Sequence, residues 1–262
     1  ASLTAKMIRY LEEVLPKNPN TSFRLTFSID GIKDDHDTNR SMPGSFAKIE
    51  KSFELISPMR KKYKNLSLDS NTVFTTNTEK KMIDILKYLE DNFTFDNHTI
   101  TYARGEIPDP SLKSKSKKHY EDALEFIKSI DKRKENRSLY FLYRGVREIA
   151  FDNIKNIVFE DQFITPCVAG KKLIVISEEG NVYPCEILTL SHPLGNVREY
   201  DYDIKKIMNL NNTKKTQKWI KDTKCKCSFE CAMSANVAWN FSQYPKILKS
   251  SLKNISFSEK DI

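Results

Sequence analysis

The stretch Cys167-Val-Ala-Gly170, followed by Lys171 to Glu179, then Gly180-Asn-Val-Tyr-Pro-Cys185, and later Lys224-Cys-Lys-Cys-Ser-Phe-Glu-Cys231, decides how this chain is read. All five cysteines of the 262-residue sequence lie between Cys167 and Cys231. Cys167 and Cys185 stand at the ends of an apolar segment that reads as a β-hairpin turning at Glu179-Gly180. Paired strands lie about 5 Å apart, so the two ends meet and bring two thiols together. Gly180 permits the tight turn, and Gly170 lets the backbone approach a bound group closely. Cys225, Cys227 and Cys231 then supply further thiols, with at least one spare for a four-coordinate site. Soft thiolates gathered in this way suit either a Cys-ligated iron–sulfur cluster or a structural zinc. The gaps match neither the paired C-x-x-C of a zinc ribbon nor a ferredoxin run, so spacing alone leaves both metals open.

Composition narrows the class. Hydrophobic residues make up 39% and charged residues 30%, the profile of a soluble globular chain long enough for one large domain or two smaller ones. No apolar run reaches the roughly 18 to 20 residues of a membrane span. The start, Ala1-Ser-Leu-Thr-Ala, carries no signal-peptide core, which predicts a cytoplasmic protein. An odd, clustered set of cysteines in a reducing compartment favours a metal over disulfides. The net charge is +8, and Lys205 to Lys226 holds eight lysines against one acid, Asp222. Such a face is either solvated or meets an acidic partner. No stacking-aromatic motif supports nucleic acid.

Helical spacing of Met7, Ile8, Leu11, Val14 and Leu15 opens the chain with an amphipathic helix. Alternation of Phe23, Leu25, Phe27 and Ile29 predicts a strand ending in Ser28-Ile-Asp30-Gly31, with Ser45 available to cap the next helix. Leu66 to Phe74 and Thr94 to Tyr102 repeat the pattern, with Thr78 expected to cap the helix between them. Single-helix crossovers imply parallel strands, whose C-terminal ends are where such sheets place their sites. After Pro166 the texture changes to the hairpin, a turn at Pro193-Leu-Gly195-Asn196-Val197, and a lysine-rich helix over about Ile204 to Asp222.

The order Cys167-x12-Gly180-x4-Cys185, Leu194-Gly195-Asn196-Val197 and the terminal cysteine group resembles the SPASM/twitch domain that follows the barrel of radical SAM enzymes. The segment Ser28-Ile-Asp30-Gly31, His36-Asp37, Arg40 and Pro43-Gly44-Ser45-Phe46 is similar to the one after the fourth strand of that barrel. The resemblance implies an α/β fold: the second half of a partial (β/α)6 TIM-like barrel over 1–135, linking helices over 136–160, and a small α+β SPASM/twitch domain with a β-hairpin over 161–262. It implies an auxiliary [4Fe-4S] cluster held by members of Cys167, Cys185, Cys225, Cys227 and Cys231. It also implies that Ser28, Asp30, Arg40 and Asn71 help hold S-adenosylmethionine, and that Tyr102, Arg104 and Glu106 face a substrate, either a peptide or a small molecule. The family chemistry is reductive cleavage of S-adenosylmethionine and abstraction of a substrate hydrogen atom.

Two features of the family are missing from this sequence. No C-x3-C-x2-C motif holds a catalytic cluster, and the Gly-Gly-Glu-Pro stretch is absent. The resemblance therefore predicts the C-terminal part of such an enzyme, inactive alone and completed by an N-terminal barrel segment. The rival expectation is a non-catalytic, zinc-stabilised binding module with a lysine-rich interaction surface. His98 and His119 read as packing or surface residues, and His36 singly as a surface side chain.

Overall fold

The computed structural model describes residues 3–105, 107–131, 140–189 and 191–255. The chain divides into two compact units, Ala1–Ala103 with Ile107–Lys134, and Arg104–Glu106 with Glu135–Ile262. A parallel sheet of three strands anchors the first unit, and a small antiparallel sheet lies in the second.

In the first unit, helix α1 (Leu3–Lys17) leads to β1 (Phe23–Ser28), then to short α2 (Asp34–Asn39), α3 (Ser45–Ile56) and one-turn α4 (Met59–Lys62). Strand β2 (Leu66–Phe74), α5 (Met82–Asn92), β3 (Asn97–Tyr102) and α6 (Lys117–Asp131) follow. The strands lie in the order β1-β2-β3, with Ser28 opposite Asn71 and Phe74 opposite Tyr102. A parallel pair needs a crossover, and the helices between consecutive strands supply it. Phe27, Leu68 and Phe95 join Leu11, Phe46, Phe53 and Leu89 in one core. Phe53 sits edge-on to Phe95 with ring centroids 4.7 Å apart, a favoured aromatic geometry.

The two sheet faces differ. Phe23, Leu25 and Phe27 alternate with Arg24, Thr26 and Ser28, and the register sets Ser67, Asp69 and Asn71 beside the second series. Asn97, Thr99 and Thr101 extend that polar face onto β3. Arg24 Nε meets Asp69 Oδ2 there at 2.9 Å.

Both expected caps turn out differently. The residue before α3 is Gly44 at φ 73°, and the Ser45 side chain makes no cap bond. Asp37 reaches across instead, and its carboxylate accepts from the Gly44 and Phe46 amides at 2.5 and 2.8 Å and from Ser45 Oγ at 2.8 Å. An anionic acceptor suits the unsatisfied N–H groups and positive end of a helix better than a hydroxyl. Thr78 lies before α5 in a tight turn, where its hydroxyl donates to the Val73 carbonyl at 2.7 Å and accepts from the Thr75 amide at 2.9 Å.

The second unit begins with α7 (Tyr140–Glu160), which packs against α10 (Glu230–Ala238) and α11 (Tyr244–Ile255). Gly145 makes the α7–α11 approach possible, since a Cβ there would fall 2.2 Å from Ser251 Oγ and 2.9 Å from the Ile247 carbonyl. Strands β4 (Val175–Ile176), β5 (Asn181–Tyr183) and β6 (Gly195–Asn196) form the antiparallel sheet, turning at Gly180 with φ 87°.

The first hairpin strand is shorter than the apolar run Lys171–Ser177 predicts. Lys171 and Lys172 both donate to the Val168 carbonyl, at 3.0 and 2.9 Å, and Gly170 donates to Leu173 at 2.8 Å. These residues are consumed by a turn before the strand starts. The lysine-rich helix is likewise two helices, α8 (Ile204–Met208) and α9 (Asn211–Asp222). Leu210 at ψ 149° breaks the run, and Thr213 Oγ1 donates to the Ile207 carbonyl at 2.7 Å across the break. Among the described residues no helix is long and apolar enough to cross a membrane.

Candidate metal centre

Four chain segments of the second unit bring the cysteines together. Cys167 precedes the Val168–Lys172 turn, and Cys185 follows β5 at the start of a short 3-10 turn, Glu186–Leu188. Cys225 and Cys227 follow α9, and Cys231 is the second residue of α10. All five are free thiols; Cys231 is exposed and the others are half-buried. Cys167, Cys185 and Cys225 pack against one apolar patch of Ala169, Leu188 and Ile220. Cys227 feels the charges of Cys167, Cys185 and Cys231.

Several of the thiols have N–H groups near them that favour their charged form: the Ala169 amide and Asn236 for Cys167, the Ile187 and Leu188 amides for Cys185, and the Phe229 amide for Cys227. Asn236 accepts the Val168 amide at 2.8 Å through Oδ1, so an α10 residue holds the backbone next to Cys167. Gln217 of α9 donates to the Gly170 carbonyl at 2.7 Å. The close approach at Gly170 is to Pro184, whose Cβ would lie 3.3 Å from an added Cβ, and not to open space for a bound group.

Electrostatics separate the thiols. A hydrogen bond with Cys225 draws the Cys167 pKa down to about 6, against the opposing effect of burial. The same bond, followed by burial, pushes Cys225 up. Burial raises Cys227 to about 11 and raises Cys185, each against the amide donors named above. The shared bond thus favours the charged form at Cys167 and the neutral form at Cys225, while burial favours the neutral form at Cys185 and Cys227.

Among the described residues no three His, Cys, Asp or Glu side chains already form a metal cage. The donor chemistry nonetheless fits a thiolate-held metal, since the side chains gathered here are free thiols.

In the first unit, the strand-end residues form their own network. Ser28, the last residue of β1, is exposed and registers with Asn71, whose Oδ1 accepts from Thr101 Oγ1 at 2.7 Å. Asp30 is buried and engaged on every side. Oδ1 accepts the Val73 amide at 2.8 Å, and Oδ2 meets Arg40 Nε at 2.7 Å. Its own amide donates to His36 Nδ1 at 3.0 Å, and its carbonyl accepts from Asn39 at 2.6 Å. His36 is thus no surface residue, being 2% exposed. A cleft of about 290 Å³ lies beside this network, lined by Asp30, Asn39, Asn77 and Lys81 among others.

Tyr102 is buried between Phe74 and Tyr120, and its hydroxyl donates to the Ser114 carbonyl at 2.5 Å. Arg104 is held by Glu230 and Phe229 in the second unit. Glu106 lies outside the described residues. His98 sits in a chain with Ser70 at 2.6 Å and Glu90 at 2.7 Å, resembling a catalytic triad in outline. Ser70 is fully buried, so the chain serves packing. His119 Nδ1 lies 2.6 Å from Ser116 Oγ at the start of α6. Sequence reasoning missed Asn236 and Gln217; the only signal was a polar side chain within each helix, which many surface helices also show.

Residues 167–232 match the SPASM family, described as an iron-sulfur cluster-binding domain. No curated protein matches the chain. Solved structures of anSMEcpe do. A tagged form of anSMEcpe with bound AdoMet is 20% identical over 95% of this chain and 68% of that one, with a TM-score of 0.53. "Native anSMEcpe with bound AdoMet and Cp18Cys peptide" is also 20% identical, over 95% of this chain and 73% of that one, with a TM-score of 0.53. At that identity the likeness is one of fold. The domain match covers the cysteine segment, and the fold of the chain as a whole resembles that of anSMEcpe.

Proposed function

We propose that this chain is the C-terminal part of a radical SAM/SPASM enzyme and that its cysteines hold an auxiliary [4Fe-4S] cluster. The observation that carries this reading is the gathering of free thiols from separate chain segments, three of them on one apolar patch, within the stretch that matches the iron–sulfur domain. When bound, such a cluster supplies a site for one electron or a coordination point for substrate. The residues of this chain ligate it, place donors on its sulfurs and exclude water with Leu188 and Ile220.

The polar sheet face supports the other half of the proposal. An all-parallel sheet ordinarily buries both faces in apolar contacts. A face carrying Ser28, Asn71 and Thr101 is instead suited to line a ligand cavity, here for S-adenosylmethionine and substrate. Asp30 then acts by fixing Arg40, because its own oxygens are already taken. Catalysis requires the C-x3-C-x2-C motif that this sequence lacks, so the chain works joined to a segment that carries it.

Anaerobic reconstitution with iron and sulfide tests the reading. About four irons per chain and broad absorbance near 400 nm are expected, lost in Cys167→Ala and Cys185→Ala. One tightly held zinc without iron uptake would overturn it and favour the zinc-stabilised module.

A further inference from the structure

The cysteine loop between Cys227 and Cys231 is anchored from outside by a residue that no motif marks. Phe229, two residues after Cys227, lies beneath the Arg104 guanidinium, with 4.1 Å from its carbon to the ring centroid. The next residue, Glu230, opens α10 and forms an ion pair with Arg104 Nη1. Both side chains are mostly buried, at 25% and 18% exposure. Gly105 takes φ 70°, and its Cβ position would lie 3.9 Å from the Phe229 ring, so the chain passes closely over that ring. Two consecutive residues between Cys227 and Cys231 therefore both meet one guanidinium. A planar cation suits this double task, since it stacks on an aromatic face and pairs with a carboxylate at once.

We propose that Arg104 is a positioning residue of the cysteine centre: it holds the Cys227–Cys231 loop through Phe229 and Glu230 and balances the Glu230 charge beside the metal. The inference rests on the reading that the cysteines carry an iron–sulfur cluster. It also gives Arg104 a task other than substrate contact. Two consequences follow from the physics. Without Arg104 the Phe229 ring loses its stacking partner, and the Cys227–Cys231 loop loses an anchor. The Glu230 carboxylate is also left beside an anionic cluster, which makes the reduced and more negative form harder to reach.

The test is anaerobic reconstitution of the full chain as wild type, R104Q, R104K, E230Q and R104Q/E230Q. Iron content, retention under a chelator and midpoint potential are measured. R104Q is expected to lose iron at least twofold faster and to show a more negative potential. E230Q is expected to shift the potential the opposite way, with the double variant returning toward wild type. R104K should restore the potential more fully than the retention, because it keeps charge but loses the planar stack. A general packing defect would not produce shifts of opposite sign. If R104Q fails to fold by circular dichroism, the potential of E230Q decides. Iron-loaded wild type with unchanged potentials in every folded variant would overturn the role of Arg104 alone. A wild type that takes up no iron would overturn both this role and the cluster reading.

Discussion

The backbone amide of Asp30 donates to Nδ1 of the His36 ring at 3.0 Å. An acceptor nitrogen carries no proton, so the ring is neutral with its hydrogen on Nε2. Burial is the main reason its pKa falls below the ordinary histidine value; Arg40 acts in the same direction, and Asp30 and Asp37 oppose it. With the folded pKa depressed, the unfolded chain binds more protons in the window just below about 6.5. Stability of the first unit should therefore fall as pH drops through that window and level off above it. Denaturation midpoints at neutral and mildly acidic pH check this, and His36→Gln should flatten the slope. An equal slope in both proteins would count against the assignment.

Asn236 is 3% exposed and its Oδ1 accepts the Val168 amide beside Cys167. Asn236→Ala leaves that part-buried amide without its acceptor, at a cost of about 1 to 3 kcal/mol. It should also reduce iron retention after reconstitution, because the backbone carrying Cys167 is no longer held. Asn236→Asp keeps an acceptor for Val168 and should recover stability more than iron. Unchanged iron retention in both variants would remove Asn236 from the site.

Gly180 and Gly44 both have positive φ, at 87° and 73°, yet they should respond differently to alanine. At Gly44 nothing lies within 4 Å of the added Cβ, so only the left-handed backbone matters, about 1 kcal/mol. At Gly180 the new atom would meet Asn196 Oδ1 at 3.0 Å and Val197 Cγ2 at 3.1 Å. Gly180→Ala should cost more than Gly44→Ala and loosen the hairpin whose far end presents Cys185. Urea denaturation of the two variants, compared with wild type, gives the order directly.

Asp37 draws its lowered pKa chiefly from the Phe46 amide, then from the Ser45 hydroxyl. A depressed carboxylate contributes stability above its unfolded pKa and loses it as pH falls through the folded one. Asp37→Ala should lower the melting temperature at neutral pH, with Asp37→Asn intermediate since it keeps an acceptor but no charge. Both variants should differ least from wild type in strong acid. A gap that persists there would assign the effect to something other than ionisation.

The strands and their parallel order were legible because Phe23, Leu25 and Phe27 alternate cleanly and the helices between strands show regular apolar spacing. The cysteine grouping was legible because Gly180 marks a turn and thiols are rare in this sequence. Capping was not, because Asp37 acts from eight residues before Ser45, a distance set by how the loop folds. The break between α8 and α9 was hidden by the lysines, which fit a helix on either side of Leu210. His36 could not be placed either, since its partner is a backbone amide that carries no residue identity. Arg104 showed the same difficulty at longer range: its partner Glu230 lies 126 positions away.

The order β1-β2-β3 leaves β1 and β3 each bonded on one side only among the described residues. Their outer rims offer rows of amides and carbonyls already spaced for another parallel strand. A neighbour joining either rim would lengthen the ladder without undoing any bond now present. Rims of this kind are general sites of strand pairing, and covering them is the usual way a sheet avoids joining its neighbours.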